Sequence, residues 1–185
     1  MSTNNFRNEN ESSDEYLIPP MTSAGQPGNI KSIIPLINNP NLANPISLFT
    51  LRSVPTGSNV YANNYLQGFP PFNAIDYVDS SFWFSNETTG ELTIEFPASE
   101  YIYYVEFIAT SGAAETYNYT IYGKKIGEPL KQISSTFPRY IQGGFNNQTK
   151  IEPIPVIAGY YDTIKIVGKS SSGTLFVAIN EVYLR

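Results

Sequence analysis

The sequence predicts an all-β protein: a sandwich or barrel of about eight short strands with an extended N-terminal arm. Three observations carry that expectation. Apolar and polar residues alternate in short segments, most clearly Leu92, Ile94 and Phe96 against Thr93 and Glu95, the period of a strand with one buried face. The 14 Tyr and 11 Phe suit a pleated, half-buried surface, and the 14 Pro and 13 Gly supply turns between such segments. No long stretch repeats its apolar residues at the 3.6-residue period of a helix.

Residues 1 to about 15 are dominated by Asn, Ser and Glu and bury too little apolar surface to offset the entropy of ordering. Between there and residue 40, the apolar clusters Tyr16-Leu17-Ile18 and Ile33 to Ile37 are broken by Pro19-Pro20, Pro27-Gly28 and Pro40. Residues 1–40 therefore read as a flexible or extended arm, and 41–185 as one domain. Ile46 to Ser53 reads as the first strand and Val54 to Phe72 as a long irregular loop. The later strands are expected at Leu92–Phe96, Ile102–Ala109, Tyr117–Tyr122, Leu130–Ser134, Ile151–Ile157, Thr163–Val167 and Thr174–Leu184. Ser111 to Thr116 and Pro138 to Gln148 are expected to be loops.

Composition excludes several functions. A net charge of −5 with no run of Lys or Arg does not suit a phosphate backbone, so nucleic acid is not expected as a partner. The chain has no His and no Cys, which removes a Ser-His-Asp triad, a thiolate nucleophile, the usual zinc ligands and any disulfide. Two acid pairs, Asp76 with Asp79 and Glu87 with Glu91, are close in sequence, but nothing in their spacing sets them across a cleft as glycoside hydrolysis requires. The expectation is a protein that is not an enzyme. No segment has the character of a signal peptide or approaches the roughly 18 apolar residues of a membrane span. A particle surface or the cytoplasm is the expected location, with extracellular exposure by a route that needs no signal.

Two groups of residues remain as candidate sites. Asn73 to Trp83 concentrates carboxylates and hydroxyls before the only Trp of the chain. Asp76, Asp79 and Ser81 offer the hard oxygens that calcium takes, and Glu181 joins them because it continues the apolar face of Leu175, Val177 and Ile179. The alternative is that Asp76 and Ser81 bond the amides of their own turn. The second group is aromatic and amide-rich: Tyr61, Asn64, Tyr65 and Phe69 in one loop, Arg139, Tyr140, Phe145 and Asn146 in another. Rings that stack on the apolar faces of sugars, with planar polar groups to take the hydroxyls, make these candidate glycan contacts. Ordinary loop packing is the alternative. Trp83, flanked by Phe82 and Phe84, is expected in the core.

The stretch Asn73-Ala74-Ile75-Asp76-Tyr77-Val78-Asp79-Ser80-Ser81-Phe82-Trp83 resembles the N-A-x-D-G-x-x-S-T-x-W segment of discoidin, or coagulation-factor type C, domains and of galactose-binding-like carbohydrate-binding modules. Asn41-Leu42-Ala43 is similar to the opening of that family, Leu92 to Phe96 to its L-x-V-D-L strand, and Ile102 with Val105 to the I-x-x-V that follows. Tyr161 to Ile166 resembles its R-Y-V-R-I strand, and Ala178 to Tyr183 its closing A-I-x-E-I-x-V. The resemblance covers about 41 to 185. It implies that the all-β domain is an antiparallel jelly-roll β-sandwich of about eight strands, whose loops at one end bind glycans or lipid head groups, often with a structural calcium. Carried over, that ion would be held by Asp76, Ser81, Glu181 and backbone carbonyls around Asp79. Tyr77 stands where the motif has Gly, and Ser81 where it has Thr. The expected function is that of a non-catalytic glycan-binding or adhesion module. The alternative is structural decoration of a virus or phage particle, held in that larger assembly through residues 1–40.

Overall fold

The computed structural model describes residues 51–185. The arm at 1–40 and the first part of the strand expected at Ile46–Ser53 lie outside the described residues. Nine strands follow in order: β1 (Arg52–Ser53), β2 (Asn59–Ala62), β3 (Trp83–Phe84), β4 (Thr89–Ala109), β5 (Glu115–Lys124), β6 (Lys131–Gln132), β7 (Phe137–Ile141), β8 (Thr149–Ser170) and β9 (Ala178–Leu184), with one 3-10 turn at Pro71–Ala74. All pairings are antiparallel. Among the described residues no helix is long and apolar enough to cross a membrane.

Two long strands organise the jelly roll. β4 spans 21 residues and β8 spans 22, and they pair along nearly their whole length, from Thr89↔Lys169 to Ala109↔Thr149. The register breaks between Glu95 and Glu100, where Pro97 interrupts β4, and such irregularities bend a strand. On one side of the break, β4 and β8 form a layer with β2 and β5, with β6 and β7 at its far edge. On the other side they form a layer with β9, whose outer edge carries β1 and β3. Phe107 of the second layer meets Tyr119 of the first edge to face, with ring centroids 4.8 Å apart.

The alternation read from the sequence is the alternation that fills the core. Leu92, Ile94 and Phe96 point inward, as do Tyr117, Tyr119 and Ile121. Six expectations change in detail. The passage from Val54 to Phe72 contains β2, a strand too short for periodicity to show. Pro138 to Gln148 begins inside β7, because Phe137–Ile141 pairs with Glu115–Tyr119. The segments Leu92–Phe96 and Ile102–Ala109 are one strand, and Ile151–Ile157 and Thr163–Val167 are another. Leu130–Ser134 shrinks to β6, and the final strand starts at Ala178 rather than Thr174. Glu106, which strand alternation sets opposite Val105 and Phe107, is also buried and is held by Lys150 at 2.7 Å and Arg185 at 3.2 Å.

Trp83 is fully buried, and Gly90 makes room for it. A Cβ at residue 90 would lie 2.7 Å from Trp83 Cη2 and 3.0 Å from Val177 Cβ, closer than packed atoms approach. Gly90→Ala is expected to destabilise the protein by about 1–3 kcal/mol through overpacking. The measurement is urea denaturation, where the midpoint should fall with little change in slope. A midpoint equal to that of wild type would show that the indole moves aside at no cost.

Candidate functional site

One end of the sandwich gathers the connections 63–70, 82–88, 110–115, 142–148 and 171–177. Backbone bonds lock them together. Leu66 N–H donates to the Phe84 carbonyl at 2.9 Å and Phe84 N–H to that of Phe69 at 3.3 Å, so the loop after β2 runs against β3. Trp83 Nε1 donates to the Asn64 carbonyl at 3.2 Å, and Asn64 Oδ1 accepts from Asn86 N–H at 3.1 Å. Tyr117 reaches up from the core to donate to the Phe176 carbonyl at 3.0 Å. Ser85 and Val177 exchange two bonds, Ser85 N–H to the Val177 carbonyl at 2.9 Å and Val177 N–H to Ser85 Oγ at 3.0 Å. Gly143 admits the close approach of the loop after β7, since a Cβ there would lie 2.4 Å from the Ala114 nitrogen.

A phenylalanine cluster crowns this end. Phe69 stacks on Phe82 at 4.8 Å, Phe82 lies parallel to Phe145 at 5.8 Å, and Phe84 meets Phe145 at 5.5 Å and Phe176 at 5.8 Å. Phe145 remains 45% exposed, and Tyr65, on the loop of Phe69, is 50% exposed. Of the residues singled out from the sequence, Phe69 and Phe145 are thus brought together, with Tyr65 and Asn146 on the same loops. Asn64 belongs to the same end, but its carbonyl and Oδ1 are taken up in holding Trp83 and Asn86. The others are placed elsewhere. Tyr61 bonds Glu95 Oε1 at 2.9 Å, on a strand residue that leads away from the loops. Arg139 and Tyr140 flank a separate concavity of about 360 Å³ between β7 and the start of β8, with Arg139 lying over the Phe137 ring at 5.3 Å. Phe82, Phe84 and Phe176 complete the cluster and were read from the sequence only as core or strand residues.

The acidic stretch forms a clasp beside β9. Asp76 Oδ1 accepts from Val78 N–H at 2.9 Å, and Ser81 Oγ donates to Asp76 Oδ2 at 2.7 Å. The bond from the Val78 amide to Asp76 is the turn bond that the alternative reading expects, whereas Ser81 bonds the Asp76 carboxylate and not an amide. The clasp is fastened from outside by Tyr77 N–H to Glu181 Oε2 at 2.9 Å, Asn180 Nδ2 to the Asp79 carbonyl at 2.9 Å and Tyr183 OH to Asp79 Oδ1 at 3.0 Å. Gln148 Nε2 also donates to the Asp79 carbonyl. Tyr77 has φ of 63°, a left-handed backbone that the resembled motif assigns to Gly. Its hydroxyl offsets that strain by donating to the Val54 carbonyl at 2.9 Å.

Glu181 is fully buried, and its Oε1 has no hydrogen-bond partner. Burial, reinforced by the nearby charges of Asp76 and Asp79, pushes its carboxyl up to about 7, despite the Tyr77 amide that favours the charged form. The donors Asp76, Ser81 and Glu181 have the hard-oxygen chemistry of calcium ligands, and the orphaned Oε1 is the feature that fits an ion. Against a cage of acids alone, no three carboxylates converge for a metal among the described residues. An ion there would draw on backbone carbonyls, and the Asp79 carbonyl is already engaged by two amides.

No family model and no curated protein matches the sequence. Solved structures do match. A family 32 carbohydrate-binding module of AlyQ, in complex with 4,5-unsaturated mannuronic acid, superimposes with a TM-score of 0.57 at 20% identity, covering 74% of this chain and 98% of that one. A pectin-binding carbohydrate-binding module gives 0.56 at 16% identity, covering 74% and 92%. The family 32 module of NanJ from C. perfringens, in complex with galactose, gives 0.55 at 13% identity, covering 73% and 98%. The described domain has the discoidin, or galactose-binding-like, fold of these carbohydrate-binding modules.

The raised carboxyl of Glu181 ties stability to pH. Between 4.5 and about 7 the folded chain keeps a proton that the unfolded chain has released. The stability that Glu181 lends is therefore complete below that window, falls as pH rises through it, and levels off above about 7. The loss is on the order of 3 kcal/mol. Glu181→Gln keeps the acceptor for Tyr77 and should lack this dependence, so the stability difference between variant and wild type should widen from pH 4.5 to 7.5 in denaturant titrations. Parallel pH profiles for the two would refute a buried titrating carboxyl.

Proposed function

We propose that the chain is a non-catalytic glycan-binding module whose loop end holds the sugar. The observation that carries this reading is the partly exposed aromatic cluster of Phe69, Phe82 and Phe145, with Tyr65 exposed on the loop of Phe69, on a fold whose solved examples include carbohydrate-binding modules. Aromatic faces desolvate the C–H faces of a sugar ring, and the amides of Asn146 and its neighbours take its hydroxyls. Loops carried on a bonded scaffold need little reordering on binding, which favours affinity.

The test is a glycan array followed by titration calorimetry on the hit. Tyr65→Ala is the cleanest variant, because the ring is half exposed and its loss opens no core cavity. It should weaken binding about tenfold, the value of one stacking contact near 1.4 kcal/mol. Tyr140→Ala, at the separate concavity, should leave affinity unchanged. The reverse pattern would move the site to the seam between β7 and β8, and a blank array would favour a structural role in an assembly.

The clasp carries a second element of the proposal, a calcium ion held by Asp76, Ser81, Glu181 and neighbouring carbonyls. When bound, it would neutralise the Glu181 charge that burial disfavours. At pH 7.5, adding calcium should raise the melting temperature of wild type and not of Glu181→Gln, since a ligand of the native state stabilises it by mass action. Equal melting temperatures in calcium and in chelator would exclude a stabilising ion.

A further inference from the structure

Resting on the loop end as a sugar site, we infer that its ligand is an uncharged glycan and that uronic, sialylated and sulfated sugars are refused. The five connections that meet there, 63–70, 82–88, 110–115, 142–148 and 171–177, contain neither Lys nor Arg. Their charged residues are Glu87 and Glu115, both acidic. Glu115 is held in its ionised form: Ser172 Oγ donates to Oε2, Thr116 N–H donates to Oε1 at 3.0 Å, and these bonds keep its carboxyl below the usual range.

Among the described residues, the cations on the adjoining strands are committed elsewhere or face away. Arg139 lies on the Phe137 ring and donates to the Pro138 carbonyl at 3.1 Å, and Lys150 pairs with Glu106 at 2.7 Å. Lys169 sits opposite Asn118 between the buried Gly168 and Ser170, so the strand alternation directs it to the outer face of its layer. A carboxylate or sulfate is ordinarily gripped by Arg or Lys through charge-assisted hydrogen bonds. At this rim it would exchange water for two carboxylates and no cation. Hydroxyl and acetamido groups meet better partners in the amides of Gln67, Asn86 and Asn146. The fold leaves the charge of the ligand open, since its solved examples include modules holding unsaturated mannuronic acid or binding pectin and one holding galactose. The loops decide it.

The full chain should be titrated against neutral oligosaccharides built on galactose, glucose and N-acetylhexosamines, and against oligogalacturonate, oligomannuronate and sulfated oligosaccharides. Saturable binding is expected for a neutral ligand, insensitive to salt because no ion pair forms, and at least about tenfold weaker for its anionic counterpart. Glu87→Lys, an exposed change, should raise affinity for the anionic series. Wild-type preference for an anionic glycan, weakening as salt rises, would overturn the inference while leaving the glycan reading intact, and so would an unaltered anionic affinity in Glu87→Lys. A blank across both panels would overturn the glycan reading and the inference with it.

Discussion

The packing of the Trp83 indole against the bare backbone of Gly90 is the contact on which the architecture turns. The ring lies between a strand on the outer edge of one layer and the start of β4 in the other, where any side chain at 90 would collide with it. Its N–H holds the Asn64 carbonyl, so the same residue that closes the core also anchors the loop after β2. Phe82 and Phe84, its neighbours in sequence, are thereby delivered to the loop end, where they join Phe69 and Phe145. Core packing and the aromatic surface are two faces of one tripeptide.

The fold was legible where a single strand reveals its own period. Leu92, Ile94 and Phe96, and Tyr117, Tyr119 and Ile121, needed no partner to be read. β2 and β7 were not legible, because four or five residues carry too little alternation and their strand character comes from pairing with β4 and β5. The burial of Glu106 was not legible for a related reason: Lys150 and Arg185, which make it tolerable, lie far along the chain. The clasp shows the same division. Asp76, Ser81 and Glu181 stood out by residue type and motif, whereas Asn180, Tyr183 and Gln148 as fasteners of Asp79 depend on contacts that only the folded chain makes. Loop aromatics could be named one by one, yet nothing in the spacing told Phe69 and Phe145, which meet through Phe82, from Tyr61 and Tyr140, which do not.

Strain and desolvation are concentrated in the clasp. Tyr77 carries a left-handed backbone, and Glu181 a carboxyl with one orphaned oxygen. Neither would persist without the surrounding bonds that fix the Asp79 carbonyl and the Tyr77 hydroxyl. The clasp is also not isolated from the aromatic end. Gln148, which reaches the Asp79 carbonyl, closes the same loop that carries Phe145 and Asn146. Whatever neutralises Glu181, proton or ion, therefore acts on a turn that buttresses one wall of the loop end.

The length of β4 and β8 has a consequence for how the molecule comes apart. Each strand belongs to both layers, so peeling one layer away would break the strands that hold the other. The layers do not form separate cooperative units, and the domain is expected to unfold as one. Assembly carries the corresponding kinetic burden, because β4 and β8 are separated by β5, β6 and β7 in the chain and their pairing closes a long loop that the nearer pairings of β5 with β6 and β7 shorten only in part. Shared by both layers and released only as a whole, the paired strands are the platform from which the loops extend.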